Sequence, residues 1–196
     1  MKDNTSNNAD NNINYQKFDN KKVYTDTISE SDGMKNPEKY FALTEKTRSI
    51  NVEKNVSVFD VAAFIIKLMG EMSTMKLQKL VFYCQAWSLV WDEKPLYSEK
   101  IEAWANGPVV KELFDYHRGA YIINNISIGN PDCLDSNQKD TVNQVLKTYG
   151  DKSAQWLIEL THLEKPWIQA RKGLSLNERG NREIAHDAIV EYYSSL

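Results

Sequence analysis

The chain has 196 residues, 41% of them hydrophobic and 26% charged, with a net charge of −3 and a pI near 5.7. That is enough for one folded domain with a core and a tail, and it offers no basic footprint for nucleic acid, so none is expected as a partner. No run approaches the about eighteen apolar residues of a membrane span, so no membrane contact is expected. The opening MKDNTSNNADNNINYQ lacks the apolar centre of a signal peptide, and Cys84 and Cys133 form neither a CxxC pattern nor a disulfide framework. A cytoplasmic location is the simplest reading.

Residues 1–56 are rich in Asn, Asp, Ser, Thr and Lys, and their apolar residues follow no helical or strand period. Nine basic residues balance nine acidic ones before position 56. Such a stretch cannot bury enough surface to offset its ordering entropy, so it reads as a polar, disordered or partner-dependent extension. Within it NPEKYFALTEK, from Asn36, carries Tyr40, Phe41 and Leu43 and reads either as a docking segment or as a solvated linker.

The folded part is expected over residues 57–196. In SVFDVAAFIIKLMG, Ser57 and Asp60 have capping-box spacing and Gly70 supplies the stop. A second helix should start at Ser73 or Thr74 and run to about Asp92, where Lys94-Pro95 breaks it. Ile101, Ala103 and Ala105 alternate with Glu102 and Trp104 as in a strand. Asn106-Gly107 then makes a turn, and Pro108 is expected at the first position of a helix ending near Gly119. The β-branched YIINNISIGNPD is the expected partner strand. Ser136 is read as the cap of SNQKDTVNQVLKTYG and Ser153 as the cap of SAQWLIELTH; Pro166 opens PWIQARKG, and a last helix covers AHDAIVEYYSSL. The fold class is therefore mainly α: a compact helical domain with a small antiparallel β element, preceded by a disordered N-terminal tail.

The second helix contains KLQKLVFYCQAW, which is apolar on almost every side yet carries two lysines and two glutamines. At 100° per residue Leu77, Leu80, Val81, Cys84, Trp87 and Trp91 share the expected core face, where each large side chain is worth roughly 1.5–3 kcal/mol. Phe82 and Leu89 point elsewhere, beside Gln78 and Gln85, which are expected to tie down loop backbone. Lys76, Lys79 and Tyr83 form a third strip, read as the candidate partner-facing surface, with a plain solvated face as the alternative.

Three blocks carry a family resemblance: KLQKLVFYCQAW from Lys76, EAWANGPVVKELF from Glu102 and LTHLEKPW from Leu160. Together they resemble the signature blocks of the Panacea antitoxin family, also called SocA-like, whose relatives occur as phage-associated proteins. The resemblance spans residues about 58 to 193. Phe82 stands where the family has a second tyrosine, Cys84 replaces a small residue, and the polar tail is not covered. The resemblance implies a mostly helical, non-enzymatic antitoxin that neutralises a cognate protein toxin, encoded by an adjacent gene, through direct protein–protein binding. It implies no cofactor and no metal, and leaves a homo-oligomer open.

Each remaining candidate has two readings. Trp104 is either an interface anchor or packed beneath the GPVV segment. Asn106, Gly107 and Pro108 are either a contact point or a turn that sets chain direction. His162, with Glu164 and Trp167, either suggests a hydrolase with a His–Glu pair or a histidine capping a helix end; no GxSxG or HExxH context accompanies it. Arg171, Lys172, Arg179 and Arg182 form a modest basic cluster, read as a solvated loop or as a contact to RNA, DNA or an acidic toxin surface. The partner-binding candidates are thus Lys76, Lys79, Tyr83, Trp104, Asn106, His162 and Trp167. The structural set is Leu77, Gln78, Leu80, Gln85, Trp87, Gly107 and Pro108. The alternatives to the antitoxin are a DNA-binding autoregulator and a phage-encoded protein that binds another host protein, with the His162–Glu164 hydrolase after them.

Overall fold

Ser57 begins the first helix, α1 (Val58–Met69), with the expected reciprocal cap: Asp60 N donates to Ser57 Oγ at 3.3 Å and Ser57 N to Asp60 Oδ2 at 2.9 Å. The chain is seen in a computed structural model that describes residues 55–196; the expected disordered extension, with its Tyr40–Leu43 patch, falls outside the described residues except at its last two positions. Gly70 ends α1 at φ +76°, a backbone that glycine adopts without strain. After the short β1 (Met72–Ser73), Ser73 caps α2 (Thr74–Trp91), whose ends match the expectation within one residue.

Next comes a hairpin of β2 (Ile101–Trp104) and β3 (Gly107–Val110), with Trp104 opposite Gly107 and Ile101 opposite Val110. Then follow α3 (Lys111–His117), β4 (Ile122–Ile123), a 3-10 turn at Pro131–Cys133, α4 (Ser136–Tyr149), α5 (Ala154–Leu163), α6 (Lys165–Ala170) and α7 (His186–Tyr193). The fold is mainly α with small antiparallel β elements.

α2 is the centre of this arrangement. Every residue from 77 to 86 is buried, because α1, α4, α5, α7 and β3 pack around it. A helix enclosed on all sides is normally apolar all round. This one also encloses polar side chains, and Gln78, Lys79, Gln85 and Ser88 each have a backbone partner. Gln85 Oε1 accepts from Leu96 N at 2.8 Å and Tyr97 N at 3.2 Å, while its Nε2 donates to Tyr97 O at 3.0 Å. Ser88 Oγ donates to Lys94 O. The loop after α2 is therefore hung on α2 itself.

Several expectations are corrected. Pro108 lies in β3 rather than at a helix start, and the strand β2 pairs with is β3, while Ile122-Ile123 pairs with Met72-Ser73. Proline fits because Ala103 turns its own backbone away from β3, its N–H donating to Arg182 O at 2.8 Å; at that rung the ladder asks for no N–H. The cap of α4 is Asp135, in a capping box with Gln138, not Ser136. Trp91, expected on the core face, is 48% exposed at the C-terminal end of α2, while Phe82, off that face, is buried as well, since packing from all directions leaves no outward face in the middle of α2.

Candidate functional site

The three sequence blocks meet beneath the Ala105-Asn106 turn of the hairpin. Residues 108 and 110 of β3 direct their backbone away from β2 and toward α2. Val110 N donates to Gln78 Oε1 at 2.9 Å, Gln78 Nε2 donates to Val110 O at 3.2 Å, and Lys79 Nζ donates to Pro108 O at 2.9 Å. Side chains of a helix thus take the place of a third strand along an otherwise open sheet edge.

Lys79 does not form a surface strip with Lys76 and Tyr83. Both Lys79 and Tyr83 are fully buried, and the half-buried Lys76 donates to Gly150 O at 2.7 Å. Burial pulls the Lys79 amine down to about 7, because a desolvated ammonium with only carbonyl support is disfavoured. The Lys79 side chain fits because the residue above it is glycine: a Cβ on Gly107 would lie 2.7 Å from Lys79 Cε and 2.7 Å from Thr161 Oγ1.

Tyr83 turns instead to Glu164. Its hydroxyl donates to both Glu164 oxygens at 3.3 Å, and Tyr193 donates to Oε2 at 2.7 Å. Tyr149 stacks on the Tyr83 ring at 4.2 Å. Desolvation outweighs these two donors and pushes the Glu164 carboxyl up to about 7. Burial first, and the neighbouring carboxyl second, raises the Tyr83 and Tyr193 hydroxyls as well.

No hydrogen bond joins Glu164 to His162, so the pair required by a hydrolase is not assembled. His162 stacks on Trp167 at 4.1 Å and is tied to the Ala105 backbone. It lies in the last turn of α5, where desolvation, with Lys79 nearby, lowers its pKa. Trp167 donates from Nε1 to Trp104 O at 2.9 Å, fixing the end of β2. Arg171 is buried too, contrary to a solvated basic cluster. Its guanidinium donates to the carbonyls of Ala103, Ser175, Leu176 and Glu178 and so folds the loop that follows α6. Arg182 donates to Lys172 O.

On the outer side of the turn lies a groove of about 540 Å³. Trp104 and Phe114 form one wall, edge to face at 4.7 Å, with Trp104 Nε1 donating to Glu102. Gln78 and His117, both buried, form the floor, their Nε2 atoms 3.1 Å apart. Asn106 and Arg179 stand exposed at its edge. Of the sequence candidates, Trp104 and Asn106 reach this groove, His162 is partly exposed, Lys79 and Trp167 hold the hairpin backbone from behind, and Tyr83 lies apart among Glu164, Tyr149 and Tyr193. The wall residue Phe114 was not singled out, since its meeting with Trp104 depends on the hairpin register. Among the described residues, no group of His, Cys, Asp and Glu could hold a metal ion, and no helix is long and apolar enough to cross a membrane.

A family model described as antitoxin SocA-like, Panacea domain, matches residues 77–168. This segment is similar to the SocA-like Panacea family. The Panacea match takes in most of α2, the hairpin, α3, α4, α5 and the opening of α6, and thus every block that converges on the turn. α1 and α7 lie outside the Panacea match yet pack directly on α2. The family is one of antitoxins by its description. No curated protein and no solved structure matches the chain.

Proposed function

We propose that the chain is the antitoxin of a toxin–antitoxin pair and neutralises a cognate protein toxin, encoded beside it, by direct binding in the cytoplasm. The match of residues 77–168 to the antitoxin family carries this reading. The anatomy of the turn supports it. Trp104 and Asn106 are accessible, while the backbone behind them is held by Lys79, Gln78, Trp167 and Arg171. A contact surface fixed in advance loses little conformational freedom on binding, and a half-buried tryptophan at its centre suits an interface anchor. Lys79 then serves as a support rather than a contact, and Tyr83 belongs to the core.

Co-expression tests the proposal. The product of the neighbouring gene, induced alone, is expected to arrest growth; induced together with this chain, growth is expected to return. Arrest that persists at equal expression of both proteins would refute the reading.

A further inference from the structure

We infer that the groove beside the Asn106 turn is the seat for an acidic, apolar-tipped segment of that toxin, with Arg179 receiving the carboxylate. This rests on the antitoxin reading and assigns a partner chemistry to the surface. The groove combines two features that point the same way. Its wall is aromatic: Trp104 and Phe114 face it, and the exposed Tyr121 follows Ala120 at its edge. Its floor is uncharged: burial keeps His117 low in pKa, so the ring is neutral and its Nε2 accepts from Gln78 Nε2.

Among the described residues that line the groove, Arg179 is the charged side chain and none is a carboxylate. Arg179 has neither an ion pair nor a hydrogen bond among the described residues, whereas Arg118, over the Phe114 ring at 5.5 Å, is already bonded to Asp115. A free guanidinium beside an aromatic wall matches a carboxylate, which it can hold through two parallel N–H donors. The loop that carries Arg179 is not free to drift, because Arg171 holds three of its carbonyls while also donating to Ala103 O in β2. Nucleic acid fits less well, since it draws on several phosphate contacts at once and the chain as a whole is acidic.

The test measures the affinity of the purified full chain for the purified toxin by calorimetric titration at low and at physiological salt. Arg179→Glu is expected to weaken binding by about thirty-fold or more, as removal of a charge partner at an interface does, with Arg179→Lys in between. The Tm should stay unchanged, because Arg179 is exposed and unpaired. The wild-type affinity should fall with salt more steeply than that of Arg179→Glu. If Arg179→Glu binds as tightly as the wild type, the groove assignment is overturned while the antitoxin reading stands. If the wild-type chain does not bind the toxin, both fall. Binding of a single-stranded oligonucleotide that Arg179→Glu abolishes, with toxin affinity untouched, would also overturn the assignment.

Discussion

Gly107→Ala is expected to destabilise the protein by about 3 kcal/mol, combining strain at a positive φ with overpacking, which lowers the Tm of a domain of this size by about 10 °C. Two effects add. Gly107 sits at φ +97°, where a side chain is strained, and the new methyl would meet Lys79 Cε and Thr161 Oγ1 at 2.7 Å. Lys79 cannot yield by swinging away, since it is enclosed and bonded to Pro108 O. Gly70→Ala is the control. It has φ +76° but nothing within 4 Å of the added methyl, so only the strain of about 1 kcal/mol should appear. Thermal unfolding of the two variants side by side is the check. Equal losses would mean that the lysine does not press against the turn.

Glu164→Gln is expected to leave stability nearly unchanged at pH 4.5 and to exceed the wild type by about 3 kcal/mol at pH 8, since each pKa unit is worth about 1.4 kcal/mol. The sign follows from proton counting. In the folded protein the Glu164 carboxyl keeps its proton up to about 7, against an ordinary value of 4.5. Between those values the folded state binds more protons than the unfolded chain, so stability falls as pH rises through the window. Glutamine removes this loss and can still accept from Tyr83 and Tyr193, because both hydroxyls reach the same oxygen, Oε2. Lys79 acts in the opposite direction at higher pH. Its folded value near 7 lies below the ordinary 10.5, so its contribution rises from pH 7 upward in wild type and variant alike. Denaturant melts from pH 4.5 to 8 give the difference directly. A pH-independent gap between the two proteins would place the Glu164 proton elsewhere.

The caps of α1 and α5 were legible because Ser57 and Ser153 act within one turn of themselves, and the start of α2 was legible to within one residue. A turn was legible at Asn106-Gly107, one residue from the observed Ala105-Asn106, but that it closes a hairpin was not, since a helix was expected after it. The burial of Lys79 was not. A helical wheel sorts residues into faces but does not reveal how many of those faces are covered, and α2 is covered on all of them. A lysine is ordinarily placed in water; here the open edge of β3 supplies a carbonyl for it, and that edge exists only once strand and helix have met. Pro108 was misread for a related reason, since only the pairing register tells which rung needs no N–H. Arg171 satisfies carbonyls 4 to 7 residues ahead as well as one in β2, a pattern with no periodic signature.

These features describe one construction: α2 lends its polar side chains to the hairpin backbone, and the hairpin presents Trp104 and Asn106 on a fixed support. Its most direct test is to titrate purified toxin with the purified chain while following both residual toxin activity and the mass of the species formed. Toxin activity is expected to fall linearly to zero at a fixed molar ratio, with a single complex of that ratio by light scattering. Loss of toxin activity at catalytic amounts of the chain, with no complex at any ratio, would contradict it.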